Sequence, residues 1–281
     1  MFRTAIIIVV SSIFAASAAG AGTLDRIRSS GELTLGYRTD APPFAYRNSV
    51  GEPAGYTVAL CRAVAAKIKA QLKLDKLSLK YVPVTAENRF KAVQDGKTDL
   101  LCGATTATLS RRKLVDFSIA TFVDGASVLL RADGPKTFAE MEGRKVGVRA
   151  GTTTESELRN TVKDLKMTVE TVAVKDHKDG VTKLLNNDIS AYFGDRAILF
   201  YLMRESGAAD KLYLSKETFT YEPYALALLK GDSDFRLAVD RALSHIYRSG
   251  DIETVFAAAF GANAHMPAEL EALYRISALP D

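Results

Sequence analysis

Strand and helix patterns alternate along most of this 281-residue chain, and this alternation constrains the fold more than any other feature. Residues 32–38 alternate apolar and polar side chains, which predicts a strand, and residues 57–72 carry apolar side chains at helical spacing. Later segments show the same two patterns, which predict strands at 77–84, 98–101 and 122–130 and a helix at 87–95. The order β-α-β-α-β predicts an α/β fold with a mostly parallel sheet.

A second α/β unit is predicted to begin near residues 133–135, where Asp-Gly-Pro marks a crossing point. Three short strands follow, each leading into a helical pattern, at 145–149, 168–174 and 190–194. The strand at 224–229 leads back, and amphipathic helices at 234–248 and 251–260 precede a short helical tail. The chain is therefore expected to form two similar α/β units.

The loop Cys102–Ser118 is the strongest candidate for a binding site. It follows an apolar strand, runs through small and hydroxyl residues, and contains the paired arginines Arg111 and Arg112. Open α/β sheets bind ligands at the carboxyl ends of their strands, and the planar guanidinium of an arginine matches a carboxylate. We expect Arg111 to hold the carboxylate of a small ligand; the alternative is a polar loop with two solvated arginines.

Polar residues also follow four other predicted strands. Arg38 ends the first strand, Thr152 and Thr153 precede a helix, and His177 and Asp195 stand after later strands. A helix start offers free N–H groups to an anion, and an acidic group suits an ammonium. Each residue also has an ordinary alternative: a surface arginine, a capping box without ligand, a solvated histidine and a helix N-cap.

Composition and the N-terminus narrow the class of protein. The net charge of +4 is spread along the chain without a basic block, so nucleic acid is not an expected partner. The histidines and cysteines show no metal-site spacing, and no cofactor is expected. Residues 1–22 resemble a cleavable secretory signal peptide, and no later stretch is apolar enough to span a bilayer. In an oxidising compartment a Cys61–Cys102 bridge is favoured over two buried free thiols.

The whole pattern resembles the periplasmic solute-binding proteins of amino-acid ABC importers (family 3), and most of all the glutamate/aspartate-binding proteins. The resemblance covers nearly all of the chain after the signal peptide. The matching segments include Gly55-Tyr56-Thr57-Val58, Tyr81-Val82-Pro83-Val84-Thr85 with Asn88-Arg89, Cys102-Gly103 with Thr105-Thr106, Arg111, Asp116-Phe117-Ser118, Gly151-Thr152-Thr153, Lys175-Asp176-His177 and Asp195.

The resemblance implies a type II periplasmic binding protein fold with the ligand in a cleft between two lobes. Lobe 1 would comprise residues 23–131 plus 231–281 and lobe 2 residues 132–230, each with a mostly parallel sheet flanked by helices. Two crossing strands would join them. The resemblance also supports the Cys61–Cys102 pairing.

The resemblance also implies roles for individual residues. Arg111 would grip the ligand's α-carboxylate, helped by Thr106, by its neighbour Thr105, and by the helix start at Thr152 and Thr153.

At the other positions Asp195 would take the α-ammonium, and Arg38 and His177 would face a second carboxylate. A neutral ligand would then leave Arg38 uncompensated at a cost of about 3–5 kcal/mol, so an acidic ligand is favoured. Glutamine and asparagine stay open if Arg38 turns outward.

Three further residues are candidates for the pocket. Asn88 belongs to a matching segment, and Ala104 stands where the acidic branch usually has serine. Arg149 stands where that branch often has a small residue, and it either reaches the cleft or points to solvent.

The function expected from this resemblance is binding without catalysis. The chain would act as a periplasmic monomer that binds glutamate or aspartate and delivers it to a membrane permease. The main alternative is an enzyme on the same scaffold, similar to periplasmic cyclohexadienyl dehydratases, with His177 or Glu87 as general acid. A sensor ectodomain is disfavoured because no transmembrane segment is predicted after residue 22.

Overall fold

The computed structural model describes residues 22–280 of the chain. The predicted signal peptide at 1–22 lies outside the described residues, apart from Gly22. In the part of the chain that is described, no helix combines the length and the apolar character needed to cross a bilayer. The same residues contain no group of three His, Cys, Asp or Glu side chains that could hold a metal ion.

The helices are α1 (Thr23–Ser30), α2 (Tyr56–Gln71), α3 (Arg89–Gln94), α4 (Thr153–Asp164), α5 (His177–Leu185), α6 (Arg196–Glu205), α7 (Ser233–Ser249), α8 (Asp251–Phe260) and α9 (Ala268–Ser277). The strands are β1 (Glu32–Arg38), β2 (Asp40–Ala41), β3 (Ala45–Arg47), β4 (Pro53–Ala54), β5 (Ser78–Val84), β6 (Leu100–Cys102), β7 (Asp116–Asp124), β8 (Ala126–Arg131), β9 (Lys145–Arg149), β10 (Glu170–Val174), β11 (Ala191–Asp195), β12 (Leu212–Leu214) and β13 (Glu222–Leu228). Short 3-10 turns at Arg111–Lys113, Phe138–Met141 and Ala209–Lys211 complete the elements.

Two five-stranded sheets organise these elements, in the orders β5-β1-β6-β13-β7 and β10-β9-β11-β8-β12. In the first sheet β1 runs parallel to β5 and β6, whereas β13 is antiparallel to β6 and β7. The second sheet repeats this arrangement, with β9 parallel to β10 and β11 and β8 antiparallel to β11 and β12. Each sheet is therefore mixed: three parallel strands carry the predicted βαβ units, and two return strands complete the sheet.

The structure corrects the single strand predicted over 122–130. This apolar run divides at Gly125 into β7, in the first sheet, and β8, in the second. A side chain at Gly125 would collide with the carbonyl oxygen of Thr220, so the close approach of the two crossing segments requires glycine there. Because both halves of the run are apolar, periodicity alone does not reveal the break.

Within the described residues, the chain passes between the two five-stranded sheets twice, at Gly125 and between β12 and β13. The predicted lobe limits at 131/132 and 230/231 each come one strand too late in the sequence. The first limit would leave β8 in lobe 1, although β8 belongs to the second sheet, and the second limit would leave β13 in lobe 2, although β13 belongs to the first sheet. Below, lobe 1 means the unit built on the first sheet and lobe 2 the unit built on the second.

Helix α2 buries the apolar side chains that its sequence pattern predicts to face the hydrophobic core. Its stripe Val58, Cys61, Ala65 and Ile68 is buried, and the helix packs against α7 and α8 on the first sheet. The disulfide between Cys61 and Cys102 ties α2 to the end of β6, with the two Cα atoms 6.3 Å apart. The predicted bridge is thus confirmed, and it anchors the strand that leads into the candidate binding loop.

Candidate functional site

Four strand ends face one another between the two sheets. Arg38 ends β1 and the Ala104–Arg111 loop follows β6 in lobe 1, while Arg149 ends β9 and Asp195 ends β11 in lobe 2. Parallel strands of one sheet place their carboxyl ends at the same edge, so each lobe collects its polar residues on the side facing the other.

The binding loop separates its paired arginines. Arg111 is partly buried: its Nη1 donates to the carbonyl oxygen of Thr106 at 2.9 Å, and its guanidinium lies 5.1 Å from the centre of the Phe90 ring. Burial lowers the pKa of Arg111, but an arginine stays charged at neutral pH. Arg112 is exposed and lies over Phe117. Of the two arginines, Arg111 is the less exposed, and its binding of a ligand carboxylate stays a prediction.

Two predicted carboxylate-binding hydroxyls already meet a carboxylate of the protein. The hydroxyl of Thr153, at the start of α4, donates to Glu222 Oε2 at 2.7 Å, and the hydroxyl of Thr106 donates to the same oxygen. The two hydroxyl oxygens lie 3.2 Å apart, so Thr106 of lobe 1 and Thr153 of lobe 2 are in contact. Sequence reasoning missed Glu222, because a glutamate at the start of a strand gives no local signal of burial.

The remaining residues of these two loops have mixed roles. Thr152 caps α4, since its hydroxyl accepts the Glu155 N–H at 3.2 Å and donates to the Arg149 carbonyl at 2.6 Å. Thr105 is fully buried, and its hydroxyl has no hydrogen-bond partner among the described residues. Ala104 is buried beside it. The capping alternative therefore holds for Thr152, and Thr105 keeps a free hydroxyl.

Asp195 has an unusual environment for a carboxylate. Its Oδ2 accepts a hydrogen bond from the hydroxyl of Tyr224 at 2.7 Å, while its buried Oδ1 has no partner among residues 22–280. Burial, together with the charge of Glu222, raises the pKa of Asp195 to about 7. The N-cap alternative fails here, because Asp124 from β7 accepts the Ala197 N–H at the start of α6 instead. Asp195 is therefore left free to accept a donor from a ligand.

Arg38 already has an acidic partner within the protein. Its Nε and Nη2 lie 2.8 and 2.7 Å from Asp40 Oδ1, and both side chains are largely buried. Burial alone would raise the pKa of Asp40, but the charge of Arg38 and hydrogen bonds from Arg38 and Arg149 hold it at about 2. The expectation that a neutral ligand would leave Arg38 uncompensated is therefore wrong, because Asp40 compensates it.

Arg149 reaches the cleft rather than solvent. From the end of β9 its Nε donates to Asp40 Oδ2 at 3.1 Å, and its two terminal nitrogens bind the carboxylate of Glu87. Asp40 and Glu87 belong to lobe 1, so Arg149 links the two lobes through two ion pairs. Gly151 suits the turn after β9 because its φ of +72° is a left-handed conformation that favours glycine, whereas an added Cβ would make only ordinary contact, at 3.4 Å, with the backbone of Ala86 and Glu87.

His177 is buried rather than solvated, with 2% of its surface exposed. Its Nδ1 lies 2.6 Å from the hydroxyl of Tyr192, and its Nε2 has no partner among the described residues. Burial and the nearby charge of Arg38 lower the pKa of His177 to about 3, so the imidazole is neutral. A neutral imidazole can accept or donate one hydrogen bond at Nε2 but carries no charge toward a ligand.

Arg89 is the main residue that sequence reasoning missed. Its side chain is buried and donates to the carbonyl oxygens of Ala86 and Gly151, yet no carboxylate lies within ion-pair distance in the described chain and its Nε has no partner. Burial, then repulsion by Arg38 and Arg111, lowers its pKa. The neighbouring candidate Asn88 is exposed, and its Oδ1 accepts the Thr85 N–H at 2.8 Å.

Comparison with known proteins identifies the family. The model of the bacterial extracellular solute-binding proteins, family 3, matches residues 33–262. The chain belongs to this family.

Curated relatives of this family 3 solute-binding protein agree. It is 33% identical over 237 residues to an L-glutamate/L-aspartate-binding protein of Pseudomonas aeruginosa, covering 84% of this chain and 78% of the relative. It is 31% identical to a glutamate/aspartate import solute-binding protein of Escherichia coli (strain K12), covering 86% and 80%. These relatives are binding proteins rather than enzymes, and the resemblance stated from the sequence is confirmed.

A solved structure supports the fold. An ancestral amino acid-binding protein, described as a precursor of cyclohexadienyl dehydratase, superposes with a TM-score of 0.74 at 25% identity and covers 85% of this chain and 99% of its own. The two-lobed α/β architecture expected for this solute-binding protein is therefore confirmed.

Proposed function

We propose that this chain is the periplasmic substrate-binding component of an ABC importer and that it binds an acidic amino acid between its lobes. The family supports the binding role, and the names of the two curated relatives support glutamate or aspartate as ligand class. We also propose that the chain is exported, acts as a monomer without a cofactor, and delivers its ligand to a membrane permease.

The observation that carries the proposal is a pair of guanidinium groups, one buried and one partly buried, that form no ion pair within the described residues. Arg89 and Arg111 both hydrogen-bond to backbone carbonyl oxygens, and neither forms an ion pair within the described residues. A buried charge that lacks a counter-ion is costly unless a ligand supplies one. Two such cations call for a ligand with two carboxylates, and the free Oδ1 of Asp195 calls for an ammonium. Glutamate and aspartate carry this set of charges.

The geometry supports a defined orientation of the ligand. The α-carboxylate would bind Arg111 and would take over the hydrogen bonds that Thr106 and Thr153 donate to Glu222, and the ammonium would bind Asp195. The distal carboxylate would then reach Arg89, and Nε2 of the neutral His177, which has no partner among the described residues, would offer it a hydrogen bond. This assignment gives Arg89 the main role that the sequence predicts for Arg38.

Closure of the lobes follows from the same contacts. Thr106 meets Thr153, Arg149 meets Asp40, and Arg89 Nη2 donates to the Gly151 carbonyl at 3.3 Å, so each contact joins the two lobes. A ligand bound to groups of both lobes would favour this closed arrangement over an open one.

The enzyme alternative has little support in the site. Burial opposes ionisation of Glu87, but hydrogen bonds from Arg149 outweigh it and lower its pKa to about 2, so Glu87 is ionised and cannot serve as a general acid at neutral pH. His177 is neutral and has the Tyr192 hydroxyl on its Nδ1. Both residues considered as acids are therefore committed to structural interactions.

Calorimetric titration of the purified, ligand-stripped protein with glutamate, aspartate, glutamine and arginine tests the proposal. We expect tight binding of glutamate or aspartate, loss of binding in Arg111→Gln, and unchanged binding in the matched exposed control Arg112→Gln. Absence of binding to any amino acid, together with turnover of prephenate or arogenate, would refute the proposal in favour of the enzyme.

A further inference from the structure

Asp40 lies between two guanidinium groups that come from different lobes. One of its oxygens binds Arg38 at the end of β1, and the other binds Arg149 at the end of β9. The exposed fractions of the three side chains are 14% for Asp40, 2% for Arg38 and 8% for Arg149, so water screens these charges weakly.

Asp40 therefore pairs with the guanidinium that the family resemblance assigns to a carboxylate of the ligand. Nε of Arg38 donates to Oδ1 of Asp40, whereas Nη2 lies 2.7 Å from the same oxygen but has no hydrogen-bond partner within the described residues. A ligand carboxylate that reaches Arg38 must therefore share the guanidinium with Asp40. The charge of Asp40 also acts on Arg89, the cation without an acidic partner.

We propose that Asp40 and Arg149 form a charge pair that sets the selectivity of the cleft between acidic and amide amino acids. This inference rests on the proposed function. Asp40 holds Arg38, and its negative charge repels the distal carboxylate that the proposed function places at Arg89, so Asp40 weakens the preference for an acid. Arg149 limits this repulsion, because it holds the second oxygen of Asp40 and neutralises part of its charge.

The ratio of the dissociation constants for glutamine and glutamate isolates this effect. The two ligands have nearly the same shape, so a change in lobe closure weakens both equally and cancels in the ratio. A charge beside the distal group acts on the acid alone. At the effective dielectric of a protein site, one nearby unit charge is enough to change such a ratio about tenfold.

Glu87 offers a matched control. It binds the same guanidinium of Arg149, but its side chain is 50% exposed. The Glu87→Gln variant removes a link between the lobes while leaving Asp40 on Arg38. Solvent screens the lost charge, so the selectivity ratio is expected to change by less than about twofold.

The experiment measures dissociation constants for glutamate and glutamine on the wild type, Asp40→Asn, Arg149→Gln and Glu87→Gln. We expect the glutamine-to-glutamate ratio to rise about tenfold in Asp40→Asn and to fall by a similar factor in Arg149→Gln. Thermal unfolding of each variant checks that it is folded, and the two opposite shifts keep the test valid if one variant is unstable.

Equal weakening of both ligands in Asp40→Asn and Arg149→Gln, with an unchanged ratio, would overturn the inference and leave the pair a purely structural link. If the wild type binds no amino acid, the proposed function itself fails, and the selectivity inference fails with it.

Discussion

Replacing Arg89 by glutamine should separate the stability of the protein from its affinity. Among the described residues, the buried guanidinium of Arg89 has two carbonyl acceptors, and it lies near two other arginines. Glutamine can still donate to a carbonyl but carries no charge. Because an unpaired buried charge is costly, we expect the free energy of unfolding to rise by about 1–3 kcal/mol.

Binding should change in the opposite direction. Removing one partner of a buried ion pair costs about 3–5 kcal/mol, which corresponds to a roughly two hundredfold to several thousandfold higher dissociation constant for glutamate. Urea unfolding without ligand and calorimetric titration with glutamate measure the two effects. The matched control is Arg112→Gln, whose guanidinium is exposed.

One result would refute this reasoning. If Arg89→Gln lowers the free energy of unfolding by several kcal/mol and leaves the affinity for glutamate within about threefold of the wild type, Arg89 is a structural residue. The assignment of the distal carboxylate would then have to return to Arg38, in spite of its pairing with Asp40.

Three further predictions concern the disulfide, the ammonium site and the lobe contact. Replacing Cys61 and Cys102 by alanine should lower the free energy of unfolding in urea by about 4 kcal/mol, since the bridge closes a loop with a sequence separation of 41; a change below about 1 kcal/mol would contradict this. The affinity for glutamate should fall as the pH drops below about 7, by up to about tenfold per pH unit, because the raised pKa of Asp195 leaves it protonated and unable to pair with an ammonium. Calorimetry near pH 6 in buffers of different ionisation enthalpy should show proton release, and a pH-independent affinity would argue against this role. Gly151→Ala should weaken glutamate binding by about 1 kcal/mol, since alanine disfavours the φ of +72° at which the Gly151 carbonyl accepts a hydrogen bond from Arg89 of the other lobe; X-ray scattering with ligand should show a more open protein, and an unchanged profile and affinity would count against it.

Local patterns were sufficient for most of the fold. Strand β1 and helix α6 have the bounds that the sequence predicts, because alternation, helical spacing and nearby turn residues all act over a few positions. The run 122–130 could not be divided from sequence, since its break depends on Thr220, nearly a hundred residues away.

The site was predictable only in part. Arg111, Arg149 and Asp195 lie at or after the end of a strand, which places them at the edge of a sheet. This inference needs only the neighbouring sequence. Asp40 follows the same strand as Arg38, but its pairing with Arg149 depends on how the lobes meet. Partners that are distant in sequence decide which charges are compensated. A charge count from sequence therefore left Arg38 without a counter-ion, whereas in the structure Arg38 pairs with Asp40 and Arg89 forms no ion pair within the described residues.

The two segments that connect the lobes also form a wall of the site. Asp124 and Glu222 are register partners on β7 and β13, immediately beside the points where the chain leaves one sheet for the other. The pairing of β7 with β13 therefore affects two properties: how the connecting segments bend, and the electrostatic potential at the ammonium of the ligand. An engineered biosensor built on this scaffold should carry its fluorophores on the outer faces of the lobes, because any insertion into the connecting segments would change signal amplitude and ligand preference together.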